Sequence, residues 1–286
     1  MTRKVGDGGT VRTETFVAAL DDIDSALANT VHAVGESVPE HALLIEQAAW
    51  YGRGLVYHCR AMYAKYQAVA AGVSGRAQTG ASVIVMHSPE MQELLFEFYA
   101  FVLLGRLTLD ELRTFVAPTF ATRLGELPKS INGMLDGTTD CPLYASFLQG
   151  NMELVRYLIE LRDCVVHYRS FATSDNPIAV LQGFDPPEAV FSSPWHEPVT
   201  RVQFRHVPAT GAMPEGIAVN ILLPDAIFTY GPKGNRGKMV ERFTYNEGIN
   251  LMTQCREFSK LLVGGIVHAL VLLRDERAPV FTWRKS

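Results

Sequence analysis

Apolar side chains return every three or four positions through residues 15–34 and again through 43–71, the spacing that lines one face of an α-helix. Turn residues separate the two runs. Ser88 followed by Pro89 predicts another helix start, because serine caps free amides and proline suits the first turn. That helix runs toward Leu104. Thr108 with Glu111 forms a capping-box signature, which predicts a restarted helix stopping near Pro118. A stretch rich in Gly, Thr and Pro then predicts a loop to Pro142. Residues 143–171 carry the strongest helical signal, with Leu148, Met152, Val155 and Ile159 on one stripe and Leu154, Leu158, Leu161 and Val165 beside it. So wide an apolar face belongs in a bundle core.

After Asn176-Pro177 the period changes from helical to alternating. Short runs at 199–207, 217–223 and 226–230, punctuated by Pro and Gly, predict antiparallel strands. The turn-rich GPKGNRGK (231–238) leads to one more short run. Asn246 is then placed to cap a final helix reaching about Leu273, whose Ile249, Met252, Leu262, Ile266 and Leu273 need a partner surface. The expected organisation is a flexible N-terminus over 1–12, a helical bundle over 13–175, a β-rich insert over 176–244, and a C-terminal helix with tail over 245–286 that packs back on the bundle. The fold class is mainly α, with a small antiparallel β insert before the last long helix.

Composition narrows the class of protein. The 286 residues are 48% hydrophobic and 20% charged, which suits a folded globular chain with a real core. The net charge of -4 argues against a surface that coats nucleic acid, so any RNA contact must come from a local patch. Cys59, Cys141, Cys164 and Cys255 show no paired or Cys/His spacing, so neither a zinc site nor a disulfide framework is expected. No metal or cofactor is called for. The basic start lacks an apolar follow-on, and the longest apolar stretch, 261–273, is too short for the roughly 20 residues of a bilayer span. The expectation is a soluble, cytoplasmic protein with no membrane partner.

Candidate chemistry concentrates in ELRDCVVHYRS (160–170), where Arg162, Asp163 and His167 fall at the end of the long apolar helix. This resembles the motif of the HEPN superfamily, in which Arg is followed four to six residues later by His on a late helix of a bundle, usually with a polar residue directly after the Arg. The resemblance implies an HEPN-like helical bundle and a metal-independent endoribonuclease of the toxin or phage-defence kind, leaving 2',3'-cyclic phosphate ends. It also implies a homodimer with facing motifs, an RNA substrate and an antitoxin or sensor as partner protein. His167 would be general acid or base and Arg162 the phosphate clamp. The residue types fit: histidine titrates near neutrality, and arginine stays charged and grips phosphate oxygens through two parallel donors. Five positions put Arg162 and His167 about 140° apart on a straight helix. A bend, a wrapped arginine or a second copy of the segment is then needed to bring them together. Two roles are open to Asp163: orienting His167, four residues away on the same face, or neutralising Arg162 in a structural ion pair. The second belongs to the alternative function, a non-catalytic HEPN-like dimerisation and binding module whose β insert recognises a partner protein or nucleotide.

Weaker candidates surround this segment. Tyr168 and Arg169 trail it as RNA contacts. Arg53, Tyr57 and Arg60 recur at helical spacing and offer cations to phosphates and a ring to bases, although such a stripe is more often a solvated helix face. The glycine-rich GPKGNRGK lacks the flanking elements of a P-loop and reads as a turn with solvated charges. Trp195-His196, His206 and the cluster Asp21, Asp22 and Asp24 have no spacing that makes a site.

Overall fold

A computed structural model of the chain describes residues 13–76, 89–124, 130–135, 143, 147–167, 179–181, 201–207, 216–230, 240–244 and 249–275. Its elements are α1 (Thr13–Ser37), α2 (Ala42–Arg76), α3 (Pro89–Leu124), α4 (Ile131–Leu135), α5 (Met152–His167), β1 (Ala179–Leu181), β2 (Arg201–Val207), β3 (Gly216–Leu223), β4 (Ala226–Tyr230), β5 (Val240–Thr244), β6 (Ile249–Asn250) and α6 (Leu251–Asp275). The protein is mainly helical, with small sheets between α5 and α6. No described helix is long and apolar enough to cross a membrane.

Helical periodicity explains α1 directly: Phe16, Leu20, Leu27 and Val34 are all buried and fall on one face. In α5 the same logic buries Val155, Leu158, Ile159 and Leu161. Helix α3 departs from the sequence expectation. No restart occurs at Thr108; the helix is continuous from Pro89 to Leu124 and passes through Pro118. The Thr108 side chain is fully buried and its Oγ1 donates to the Leu104 carbonyl one turn back, at 2.8 Å. A threonine hydroxyl satisfied in that way has no reason to cap a new helix. Within the stretch expected to be loop, α4 forms instead, with Ile131, Met134 and Leu135 buried. Its first amide donates to Asp110 Oδ1 at 2.9 Å.

The strands at β2, β3 and β4 fall where alternation predicted them. Strands β2 and β3 pair antiparallel over seven positions, and β4 pairs antiparallel with β5. The insert is not wholly antiparallel, because β1 adds parallel to β2 in the four-stranded order β1-β2-β3-β6. Three residues flanked by proline-rich sequence were too few for a periodic signal. The start of α6 also moves. Asn246 lies outside the described residues, and the cap is Asn250, whose Oδ1 accepts from the Thr253 amide at 3.0 Å. Ile249 and Asn250 form β6 against Leu223 and Leu222, so the last residue of a strand caps the helix that follows.

The chain folds as two compact units. One comprises residues 1–15, 61–99 and 160–255; the other comprises 16–60, 100–159 and 256–286. The first holds the sheets and buries Met62, Phe98, Leu161, Val219, Ile221 and Met252. In the second, most of α1 and α6 and the parts of α2, α3 and α5 within its ranges surround a core that includes Phe16, Leu55, Phe115, Leu158 and Leu262. Backbones approach closely there. A Cβ on Gly105 of α3 would lie 3.1 Å from Leu262 Cδ1 and 3.3 Å from Leu158 Cδ2. Tyr157 of α5 stacks on Phe258 of α6, with ring centroids 6.1 Å apart.

Candidate functional site

Arg162 and Asp163 lie in the last two turns of α5, anchored by the buried Leu161 beside them. Residues i and i+1 of a helix point about 100° apart and do not ordinarily face each other. The arginine stem is long enough to curl back, and Nη1 donates to Asp163 Oδ1 at 2.8 Å. The side chains are 28% and 43% exposed, so water screens the pair and its contribution to stability stays below about 1 kcal/mol. Its effect is positional: the contact holds one edge of the guanidinium against a carboxylate.

His167 is the last residue of α5, and its side chain lies outside the described residues, as do Tyr168 and Arg169. The helix is unbroken from Arg162 to His167, which sets the two about 140° apart around the axis and about 7.5 Å along it. Of the sequence-derived candidates the structure brings together Arg162 and Asp163.

Arg53 and Arg60 belong to the other unit, on α2. Arg53 is exposed. Arg60 is half-exposed and held by two carboxylates of α1, Asp21 Oδ1 at 2.7 Å and Asp24 Oδ2 at 3.3 Å. The acidic cluster therefore has a structural use, joining α1 to α2. Tyr57 is exposed, with its ring edge-on to His58. Among the described residues no group of three or more His, Cys, Asp or Glu side chains is placed to hold a metal ion.

A polar cluster that the sequence reading missed sits in the unit that holds the sheets. The Tyr66 hydroxyl of α2 donates to the Val219 carbonyl of β3, and Asn250 Nδ2 donates to Asn220 Oδ1 at 3.4 Å. Asn250 is also the cap of α6. Burial pushes the Tyr66 phenol up from its ordinary range, with the Asn250 amide pulling it down and Tyr63 pushing it further up. The available signal was Asn220, a lone amide inside the apolar run IAVNILL. Cys59 of α2 is the other strongly perturbed group. Burial pushes its thiol up to about 12, against smaller opposing effects of the Ser259 hydroxyl and Arg256. A thiol so hard to ionise is a poor nucleophile at neutral pH.

No protein-family model, curated protein or solved structure matches this chain. The functional reading therefore rests on the residues alone.

Proposed function

We propose that the protein is a metal-independent endoribonuclease of HEPN type, acting as a homodimer in which Arg162 clamps the scissile phosphate and His167 moves the proton of the ribose 2'-hydroxyl. The observation that carries this reading is the spacing of Arg162 and His167 on one unbroken helix end, with Asp163 bound to the guanidinium. An arginine has five N–H donors in a planar fork, and the Asp163 contact engages Nη1. A fixed guanidinium loses little freedom when it meets a phosphate. Because the two residues diverge around the helix, completing the site within one protomer is awkward, and a two-fold axis supplies Arg162 of one chain and His167 of the other.

Cleavage of single-stranded RNA in the presence of EDTA, leaving 2',3'-cyclic phosphate ends, is the expected result. Arg162→Ala and His167→Ala should each lose activity by about 100-fold or more, as removal of a charge stabiliser or general base does. Mixing the two inactive variants after subunit exchange should restore part of the cleavage. Complete loss on chelation, or wild-type activity in both variants, sinks the proposal.

A second reading draws on the same ion pair. An arginine neutralised by its neighbouring carboxylate is what a non-catalytic dimerisation and binding module would hold there. In that case neither variant changes any RNA cleavage, and both leave assembly intact.

A further inference from the structure

Helix α2 is packed on two sides and bare on the third. Ala48, Ala49, Leu55, Val56 and Cys59 are buried. A Cβ on Gly52 would lie 2.4 Å from Leu27 Cδ2 of α1, and one on Gly54 2.9 Å from Leu104 Cδ2 of α3. The outward face carries Leu43, Trp50 and Tyr57, which are 83%, 65% and 64% exposed. Seven-residue spacing lines them up on one stripe that drifts only about 20° per heptad, the pattern of a helix seam that receives another helix. One exposed leucine is ordinary, whereas large exposed side chains repeating at a helix-pairing period mark an interaction surface.

Charge selects the occupant. Glu46 and Arg53 are exposed on one flank of the stripe, and neither forms an ion pair among the described residues. Glu46 lies about 6 Å below Trp50 along the helix and Arg53 about 4.5 Å above it. Inverting a second copy about Trp50 therefore brings Arg53 of that copy to nearly the height of Glu46 and on the same flank, twice over. The same inversion sets Leu43 opposite Tyr57. A parallel pairing would put the two copies' Glu46 and Arg53 on opposite flanks of the seam, leaving no reciprocal pair. Nucleic acid is disfavoured, because Arg60 is already held by Asp21 and Asp24 and Glu46 offsets Arg53.

We propose that Leu43, Trp50 and Tyr57 form a self-docking seam on which α2 of a second copy lies antiparallel, about a two-fold axis through Trp50, with reciprocal Glu46–Arg53 pairs. The seam stands independently of the ribonuclease reading, since it uses neither Arg162 nor His167.

The test uses the full chain and seven variants, with sedimentation velocity across micromolar concentrations. Glu46→Arg and Arg53→Glu should each weaken self-association by at least about tenfold through like-charge contacts. The double variant Glu46→Arg/Arg53→Glu should recover most of it. Trp50→Cys should crosslink to itself through a short bismaleimide where wild-type protein does not. Crosslinking reads the seam even if a second interface also dimerises the chain. Arg162→Ala and His167→Ala should leave all these readouts unchanged, which separates failure of the seam from failure of the ribonuclease reading. The proposal is overturned if the double variant associates as weakly as the single ones and Trp50→Cys fails to crosslink. It is equally overturned if Trp50→Ala lowers affinity for a single-stranded RNA oligonucleotide while crosslinking at position 50 is absent.

Discussion

Cys59 shows how burial alone sets the behaviour of a side chain. The unfolded chain releases its thiol proton near the ordinary value of 9, whereas the folded chain holds it to about 12. Folded protein thus binds more protons across that window, and stability falls with rising pH by up to about 1.4 kcal/mol per pH unit. Thermal melts should show a steeper loss between pH 9 and 10.5 for wild type than for Cys59→Ala, and iodoacetamide at pH 8 should label Cys59 only after unfolding. Asp163 poses the opposite problem, a partly exposed group whose value lies in geometry. Asp163→Asn keeps an acceptor for the Arg162 contact and loses only the charge, so it should retain part of the proposed RNA cleavage, while Asp163→Ala should retain less. Equal loss in both would assign the effect to charge. The Arg162–Asp163 contact was legible because the partners are neighbours in sequence and the choice was between two local roles. The Tyr66 cluster was not, since its members meet only after α2, β3 and β6 are assembled.

Two glycines on neighbouring helices carry opposite expectations. A Cβ at Gly35 of α1 meets nothing within 4 Å, so Gly35→Ala should stabilise by about 0.5–1 kcal/mol through the unfolded chain's lost freedom. At Gly52 of α2 the added carbon meets three atoms of Leu27, the nearest at 2.4 Å, and Leu27 is itself buried. Overpacking of about 1–3 kcal/mol exceeds the helix-propensity gain of about 1 kcal/mol, so Gly52→Ala should destabilise. Urea midpoints of the two variants should move in opposite directions. Element positions were legible wherever periodicity ran long, as in α1, α5 and β2–β4. Boundaries failed where one residue had two uses. Thr108 carries the sequence mark of a cap yet bonds backward within α3, and Asn250 ends a strand while capping α6.

Each of the five long helices contributes residues to both units, since the divisions at residues 15, 60, 99, 159 and 255 fall inside α1, α2, α3, α5 and α6. No composition change marks those points, which is why the division could not be read from the sequence. Helix α6 shows what depends on that arrangement. Met252 is buried in the first unit and Leu262, Ile266, Leu270 and Leu273 in the second. A chain ending at Thr244 should therefore bind a hydrophobic dye strongly and aggregate. A monodisperse truncation with a cooperative melt would show that neither core needs the helix.

The hydrogen bond from Tyr66 to Val219 joins residues 153 positions apart, and that separation bears on the order of folding. Closing so long a stretch costs chain entropy before the contact returns anything. The bond between α2 and β3 should form after the transition state has been passed. Tyr66→Phe should then leave the refolding rate nearly unchanged and speed unfolding, moving one arm of the chevron and not the other. A phenol hydroxyl on a helix would in that way govern how long the native sheet survives, with little say in how fast it is made.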